Sequence, residues 1–334
     1  MTQRLQVATR QGRLVEMMTS ALGGSIGALL GRDGVEEVRV NPDGKLWFVE
    51  HGQRHDAGHH LSEPERMRVI QIVADHVGEI VNARNPSFPA ELPETGFRFQ
   101  ATIPPQSPDG PQFVIRKKSS ARYTLADYVA RGQMTEAQKT VIERACRDHD
   151  NILIAGGTAT GKTTFANAVL REMAKNTGRF VTMEDTLELQ VEADEVVRLR
   201  TVRHGAETQR TMQQLLRDTL RLTPERLIVG EVRGPEVMDM LDAWNTGHPG
   251  GLATIHANSA GDALQRIEDL LIQGGYTPVP RKIARAIQLI VSIGFVNIDT
   301  GSGHRAERQL REVLRVAGVR STDTGYEYQF TKAV

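Results

Sequence analysis

An α/β chain of two domains is predicted here: an N-terminal α+β domain, then a larger one built on a mainly parallel sheet covered by helices. Three observations predict it. The 334 residues exceed what one domain of about 100 to 200 residues needs. The first third holds a turn-linked pair of β-rich runs, a helical pattern and two further strand-like runs. From Asn151 onward, short apolar runs alternate with helical patterns, as parallel strands joined by covering helices do. Hydrophobic residues at 39% and charged residues at 25% lie far from disordered compositions. Lys+Arg and Asp+Glu number 41 each, so the chain as a whole lacks the positive field of a constitutive nucleic-acid binder, and no intrinsic nucleic-acid site is expected.

In order along the chain, Leu14, Val15, Met18, Ala21 and Leu22 recur at helical spacing before Gly23-Gly24, which predicts a short opening helix. Val35 to Val40 and Lys45 to Val49 flank Asn41-Pro-Asp-Gly44, strong turn chemistry for a hairpin. His51 to His60 holds four histidines and Asp56, enough ligand types for zinc, yet it contains glycine and is read as a solvated loop. Pro64 to Val81 reads as a helix, and Phe97 to Ile103 and Gln112 to Arg116 as strands around the loop from Pro104 to Pro111. The first domain is placed at 1–120 and a connector with a helical turn or two at 121–134. Thr135, a plausible N-cap, opens a helix to Asp148 and the second domain, 135–334. The lone Cys146 excludes an intrachain disulfide and a four-cysteine zinc site and suits a reducing compartment. The run from Ala286 to Val296 is too short to span a bilayer, which takes about 20 residues, and no secretion signal is read at the N-terminus. A cytoplasmic chain with at most peripheral membrane contact is expected.

The decisive motif is Gly156-Gly157-Thr158-Ala159-Thr160-Gly161-Lys162-Thr163-Thr164 after the apolar Ile152-Leu-Ile154 and before a helical pattern. It matches G-x-x-x-x-G-K-[ST], a phosphate-binding loop. The glycines let backbone N–H groups turn inward on phosphate oxygens, and the helix N-terminus adds partial positive charge. Lys162 is placed to reach the β- and γ-phosphates and Thr163 to put its hydroxyl on Mg2+. By average residue usage such a match arises by chance in about one chain per hundred of this length.

Two acidic clusters compete for metal and water. One is Glu184-Asp185 with Glu188, at the end of a strand-like run. The other is Glu231, ending the apolar Leu227-Ile-Val-Gly230 where Walker B carboxylates lie, with Glu in place of the usual Asp. Either contacts Mg2+ through water, and which supplies the base is left open. A third segment, Trp244 to Asn258, sets His248 and His256 around a glycine-rich turn. Thr254 and His256 are expected on one strand face, with His256 placed to sense the γ-phosphate or to orient the attacking water. Arg203, Arg210, Arg217 and Arg221 form a basic set, read foremost as a solvated helix face, with service to the nucleotide or to a neighbouring subunit as the alternative.

These blocks resemble the secretion-ATPase superfamily of type II and type IV secretion and pilus assembly. VTMEDTLEL, LRLTPERLIVGEVRGPE and TGHPGGLATIHAN follow the Walker A loop in the family order, with GFRFQATIPP and FVIRKK in the N-terminal part. The chain is most similar to the conjugative-transfer, TrbB-type branch. Pro224-Glu225 replaces the common Pro-Asp, and the four-cysteine insertion of many relatives is absent.

The resemblance implies a homohexameric ring of N-terminal and RecA-like C-terminal domains closing over ATP and Mg2+. Its partners would be inner-membrane components of a secretion or conjugation apparatus. It further implies Glu231 as the leading residue to polarise water, Glu184 and Asp185 as support for metal and water, His256 as a reader of the terminal phosphate, and Arg98 and Arg116 as N-terminal-domain arginines that approach the nucleotide. The alternatives are a hexameric nucleic-acid translocase, which needs a basic channel with stacking aromatics that a chain with 5% aromatics ill supplies, and an ATP-binding assembly switch with little turnover.

Overall fold

The computed structural model describes residues 20, 24–92, 95–117, 122–176, 178–202, 209–299, 304–323 and 325–333. The expected opening helix, Lys118 and Arg203 lie outside them, the helix's Ser20 excepted. The chain forms two compact units, the first ending at Ser120 and the second beginning at Ala121.

The first unit carries α1 (Ser25–Leu30), β1 (Val35–Val40), β2 (Lys45–Glu50), β3 (Gln53–His60), α2 (Glu63–Val77), β4 (Ser87–Glu91), β5 (Arg98–Thr102) and β6 (Gln112–Arg116). Its strands pair antiparallel in the order β3-β2-β1-β6-β5-β4. The hairpin forms where Asn41 to Gly44 predicted it, Gly44 taking φ 84. Ser62 and Glu65 make a capping box at the start of α2, and left-handed Gly78 ends that helix at Val77, short of the expected Val81. Ile70 and Val73 of α2 pack with Val38, Leu46, Phe99 and Phe113 of the sheet. Buried Arg66 donates to the carbonyls of Pro42, Leu61 and Pro111, stapling the loop before β6 to the β1–β2 turn. The histidine-rich segment is edge strand β3, where a loop was expected. With solvent beside both faces, its polar residues satisfy an outer strand without any apolar alternation.

The second unit begins with α3 (Leu125–Ala130), α4 (Glu136–Arg147), β7 (Ile152–Gly156), α5 (Lys162–Met173), β8 (Arg179–Glu184), β9 (Glu195–Arg200) and α6 (Met212–Thr219). It continues with β10 (Arg226–Val232), α7 (Glu236–Asn245), β11 (Leu252–Ile255), α8 (Ala260–Gln273), α9 (Pro280–Ala286), β12 (Leu289–Asp299), β13 (His304–Thr322) and β14 (Gly325–Lys332). The sheet order is β14-β13-β12-β7-β11-β10-β8-β9. From β12 to β9 every neighbour is parallel, while β13 and β14 extend the sheet antiparallel.

Helices cover both faces, as continuous apolar strands such as the wholly buried β7 require. Phe165, Ala166 and Val169 of α5 pack on one face with Ile152, Ile154 and Ile293. Leu241 and Trp244 of α7 and Leu264 and Ile267 of α8 pack on the other with Leu153, Val229 and Ile255. The stretch expected as a connector is part of this body, because Leu125, Tyr128 and Met134 are buried in the α5-side core. Among the described residues no helix is long and apolar enough to cross a membrane.

Candidate nucleotide site

In parallel sheets of this kind, ligand sites form at the carboxyl ends of the strands, and the motif residues gather there. β7 ends at Gly156, whose ideal Cβ would stand 2.6 Å from the Ile293 carbonyl oxygen and 2.7 Å from Thr160 Oγ1, so only glycine fits. Gly161 caps α5 with φ 92, and Ala159 also sits left-handed at φ 61, a conformation that costs a non-glycine residue about 1–2 kcal/mol. Thr160 Oγ1 donates to the Gly157 carbonyl at 2.9 Å and closes the loop on itself. Thr163 and Thr164 open α5, half-exposed. The Lys162 ammonium turns back into the loop, donating to the carbonyls of Gly156 at 2.8 Å and Gly157 at 2.9 Å, and stands 3.9 Å from Glu231 Oε1.

The acidic residues divide sharply. Glu231, on β10, is partly exposed and faces Lys162. Asp185, just past β8, accepts from Thr201 Oγ1 at 2.8 Å. Arg233 ties the two together, Nε donating to Glu231 Oε2 at 2.5 Å and Nη1 to Asp185 Oδ2 at 3.3 Å. Arg233 is itself fixed by Glu236, whose Oε1 accepts the backbone N–H groups of Arg233 and Gly234 at the head of α7.

Glu184, expected to support metal and water, is drawn toward the backbone of the turn that follows β8. It is 3% exposed, and its Oε1 accepts the N–H groups of Glu188 and Leu189 at 2.8 Å each. It lies under β10 at Gly230, where a Cβ would meet Glu184 Cγ at 2.9 Å. Its carboxylate therefore shapes the 185–189 turn, and Asp185 is the one presented to Arg233. Asn167 of α5 holds the same turn, donating to the Glu188 carbonyl and accepting from Gln190 N–H.

The histidine segment is also rearranged. β11 stops at Ile255, so Thr254 and His256 do not share a strand face. Thr254 is buried and donates to the Gly230 carbonyl at 2.6 Å, linking the base of the Glu231 segment to β11. His256 is exposed at the strand exit, and His248 contacts the Ala243 carbonyl at 3.3 Å through Nδ1. Arg98 and Arg116 belong to the first unit, directly opposite each other on β5 and β6. Of the basic set, Arg217 pairs with Asp239 of α7, which strengthens its hold on its proton. Arg210, Arg217 and Arg221 line one open cavity of about 640 Å³ with Gln214, Asp218 and Leu220.

Sequence reasoning named neither Arg233 nor Thr201 for a role. Arg233 lies two residues past Glu231, a spacing that sends both side chains to one side of an extended segment. Thr201 carries no signal, because its meeting with Asp185 depends on β9 lying parallel to β8.

The chain matches the family described as type II/IV secretion system protein over residues 34–328. A probable conjugal transfer protein TrbB of Sinorhizobium fredii is 42% identical over 283 residues, 84% of this chain and 85% of that protein. A conjugal transfer protein TrbB of Rhizobium radiobacter is 39% identical over 311 residues, 92% of each chain. Among solved structures, the Legionella pneumophila ATPase DotB aligns with a TM-score of 0.60 at 18% identity, covering 92% of this chain and 80% of that one. The pilus retraction motor PilT with bound ADP gives the same score and identity over 89% and 82%. These two carry the fold, a RecA-like domain behind an N-terminal domain. On the family match and the two TrbB relatives, the chain belongs to the type II/IV secretion system protein family, the secretion ATPases.

Proposed function

We propose that this chain is a Mg2+-dependent ATPase that works as a homohexamer and powers conjugative type IV secretion, in pilus biogenesis or substrate transfer. The observation that carries the reading is the approach of Lys162 to Glu231 within 3.9 Å across the mouth of the loop. It sets a phosphate-binding ammonium and a carboxylate where a terminal phosphate and an attacking water would meet. On ATP binding, Lys162 exchanges its two loop carbonyls for phosphate oxygens, which carry full charge and hold an ammonium more strongly. Glu231 then loses its nearest ammonium and polarises water, while Arg233 fixes its carboxylate in place.

The exposed donors here are oxygens, as a hard divalent cation prefers. Thr163 and, through water, Asp185 and Glu231 would hold Mg2+, which supplies charge neutralisation on the phosphates; Glu184, whose Oε1 accepts two backbone N–H groups, would support that set from beneath. His256 reads the terminal phosphate from the β11 exit. Arg98 and Arg116 are the arginines that the family resemblance implies for the nucleotide, and an arginine set against a terminal phosphate is worth about 10³ to 10⁵ in rate in other NTPases. The family supports a ring at the cytoplasmic face of the inner membrane, bound peripherally to inner-membrane components of the apparatus.

The test is Mg2+-dependent ATP hydrolysis of wild type, Lys162→Ala and Glu231→Gln across protein concentration, with mass by light scattering on the same samples. Turnover should rise as hexamers form and fall about 10³-fold or more in both variants. Glu231→Gln should retain bound ATP, whereas Lys162→Ala should bind it weakly. Equal turnover in wild type and Lys162→Ala would sink the mechanism. Absent turnover in a well-formed ring would leave an ATP-binding switch.

A further inference from the structure

The phosphate loop has a second flank that the proposed chemistry does not use. β7 lies between β11 and β12. Glu231 and Asp185 belong to the β11 side, through β10 and β8. On the other side, β13 pairs with β12, setting Leu310 opposite Ile293 and Arg308 opposite Phe295. Ile293 is itself opposite Gly156, the first glycine of the loop. Arg308 therefore stands just beyond the carboxyl end of β7, one strand past the loop's neighbour.

Three contacts fix it there. The ideal Cβ direction at Gly161 meets Arg308 Cδ at 3.6 Å and Ile293 Cδ1 at 4.0 Å, so the arginine's aliphatic stem backs the last glycine of the loop. Its guanidinium lies 5.7 Å from the centre of the Phe295 ring. Leu310 N–H donates to the Gln133 carbonyl at 2.9 Å, tying β13 to the segment after α3.

A bulge decides which face the arginine serves. Ser292 opposes Glu312 while the next β12 residue, Ile293, opposes Leu310, leaving Arg311 as the extra residue. The bulge reverses the alternation. Glu312 falls on the α8 face, where its Oε2 accepts Ala260 N–H at 2.8 Å. Leu310, and Arg308 two residues before it, fall on the α5 face, with Leu310 in the core that holds Tyr128 and Phe165. There Tyr128 stacks edge-on against Phe165 and against Tyr123, whose ring carries the Arg131 guanidinium at 4.2 Å. Burial, with the neighbouring Tyr123 acting in the same sense, keeps the Tyr128 hydroxyl protonated against the opposing Arg308 and Arg131 charges.

On the reading proposed above, a nucleotide whose terminal phosphate points toward Glu231 would extend its sugar and base away from Glu231, toward the β12 side. Guanidinium groups and aromatic rings are the chemistry that stacks on and cradles a purine nucleoside. We propose that Arg308 is a positioning residue for the nucleoside end of a purine nucleotide in the phosphate loop, so that the C-terminal ribbon completes the pocket. The inference rests on the nucleotide reading of the loop, and the test separates the two.

The experiment is titration calorimetry on the full chain with ADP and, separately, with inorganic tripolyphosphate, which has phosphates but no nucleoside. The variants are Arg308→Met, which keeps the stem behind Gly161 and removes the cation, and Arg308→Lys, which keeps the charge without the planar group. Arg308→Met should weaken ADP about tenfold, a contact worth about 1.4 kcal/mol, and leave tripolyphosphate unchanged; Arg308→Lys should fall between. ADP affinity equal to wild type in Arg308→Met would overturn the inference while leaving the loop's role intact. A parallel loss of both ligands would also overturn it, since Arg308 would then merely support the loop. A wild-type chain that binds neither ligand would remove the nucleotide reading and this inference together.

Discussion

The same parallel strands end in two very different polar arrangements. At their amino ends polar side chains are locked to backbone. Asn151 accepts Gly251 N–H at 2.7 Å, donates its side-chain amide to the Ala286 carbonyl at 2.8 Å and donates its own backbone N–H to Gln288 Oε1, joining the starts of β7, β11 and β12. Arg226, wholly buried at the start of β10, donates to the carbonyls of Gly250 and Cys146 and lies over the Phe180 ring. At the carboxyl ends charged side chains also face one another: Lys162 stands near Glu231, and Arg233 pairs with Glu231 and Asp185. The buried backbone partners of Asn151 and Arg226 cannot be given up without unfolding, whereas the partly exposed charged side chains at the loop can exchange partners for a ligand. One end stores stability and the other keeps its charges available.

The sharpest way to break that comparison is Arg226→Ala. It leaves two buried carbonyls without a donor, each worth about 1–3 kcal/mol, and opens a cavity. A loss of about 3–5 kcal/mol in denaturant unfolding is expected, with nucleotide affinity unchanged in whatever fraction stays folded. Arg233→Ala, at the other end, should move stability by less than about 1 kcal/mol, its ion pairs being partly exposed, while cutting turnover. Interchanged outcomes would show that the division into two ends is wrong.

How far the sequence reveals this arrangement depends on burial. Strands covered on both faces, such as Ile152 to Ile154 and Leu227 to Val229, announce themselves as apolar runs, and the loop motif locates their carboxyl ends. Strands at the sheet margins do not. β3, β9 and the β13–β14 ribbon carry polar residues on one or both faces, so their residues show no clear period, and with the ribbon the position of Arg308 stays hidden.

The neighbouring pair Glu184 and Asp185 shows the limit most clearly. Alternation says that one points inward and one outward, but which does so depends on where β8 ends and on the space over Gly230, both tertiary facts. Glu184→Gln sharpens the point. The amide oxygen can still accept both N–H groups, with the charge-assisted part lost, so stability should fall by about 1 kcal/mol. Turnover should drop far less than in Glu231→Gln. Loss of turnover equal to that of Glu231→Gln, at unchanged stability, would return Glu184 to the reacting centre.

The smallest effect expected concerns pH and again belongs to the amino ends. His149 is left-handed at φ 59, and its Nε2 lies 3.2 Å from Arg226 Nη2, so the neutral ring accepts from the guanidinium. Burial, and then the Arg226 charge, lower the His149 pKa below its usual value, with Glu225 opposing weakly. The unfolded chain therefore takes up a proton at higher pH than the folded one, and between those two pKa values stability rises with pH. The contribution is complete above the ordinary histidine value of about 6.5 and is lost as pH falls through it toward the lowered folded value. His149→Asn keeps an acceptor for Arg226, and asparagine tolerates the left-handed backbone, but the side chain cannot take up that proton. Thermal unfolding from pH 8 down to pH 5 should fall more steeply for wild type than for His149→Asn, the curves converging in shape above pH 7. Parallel curves over the whole range would mean that the ring contributes packing alone.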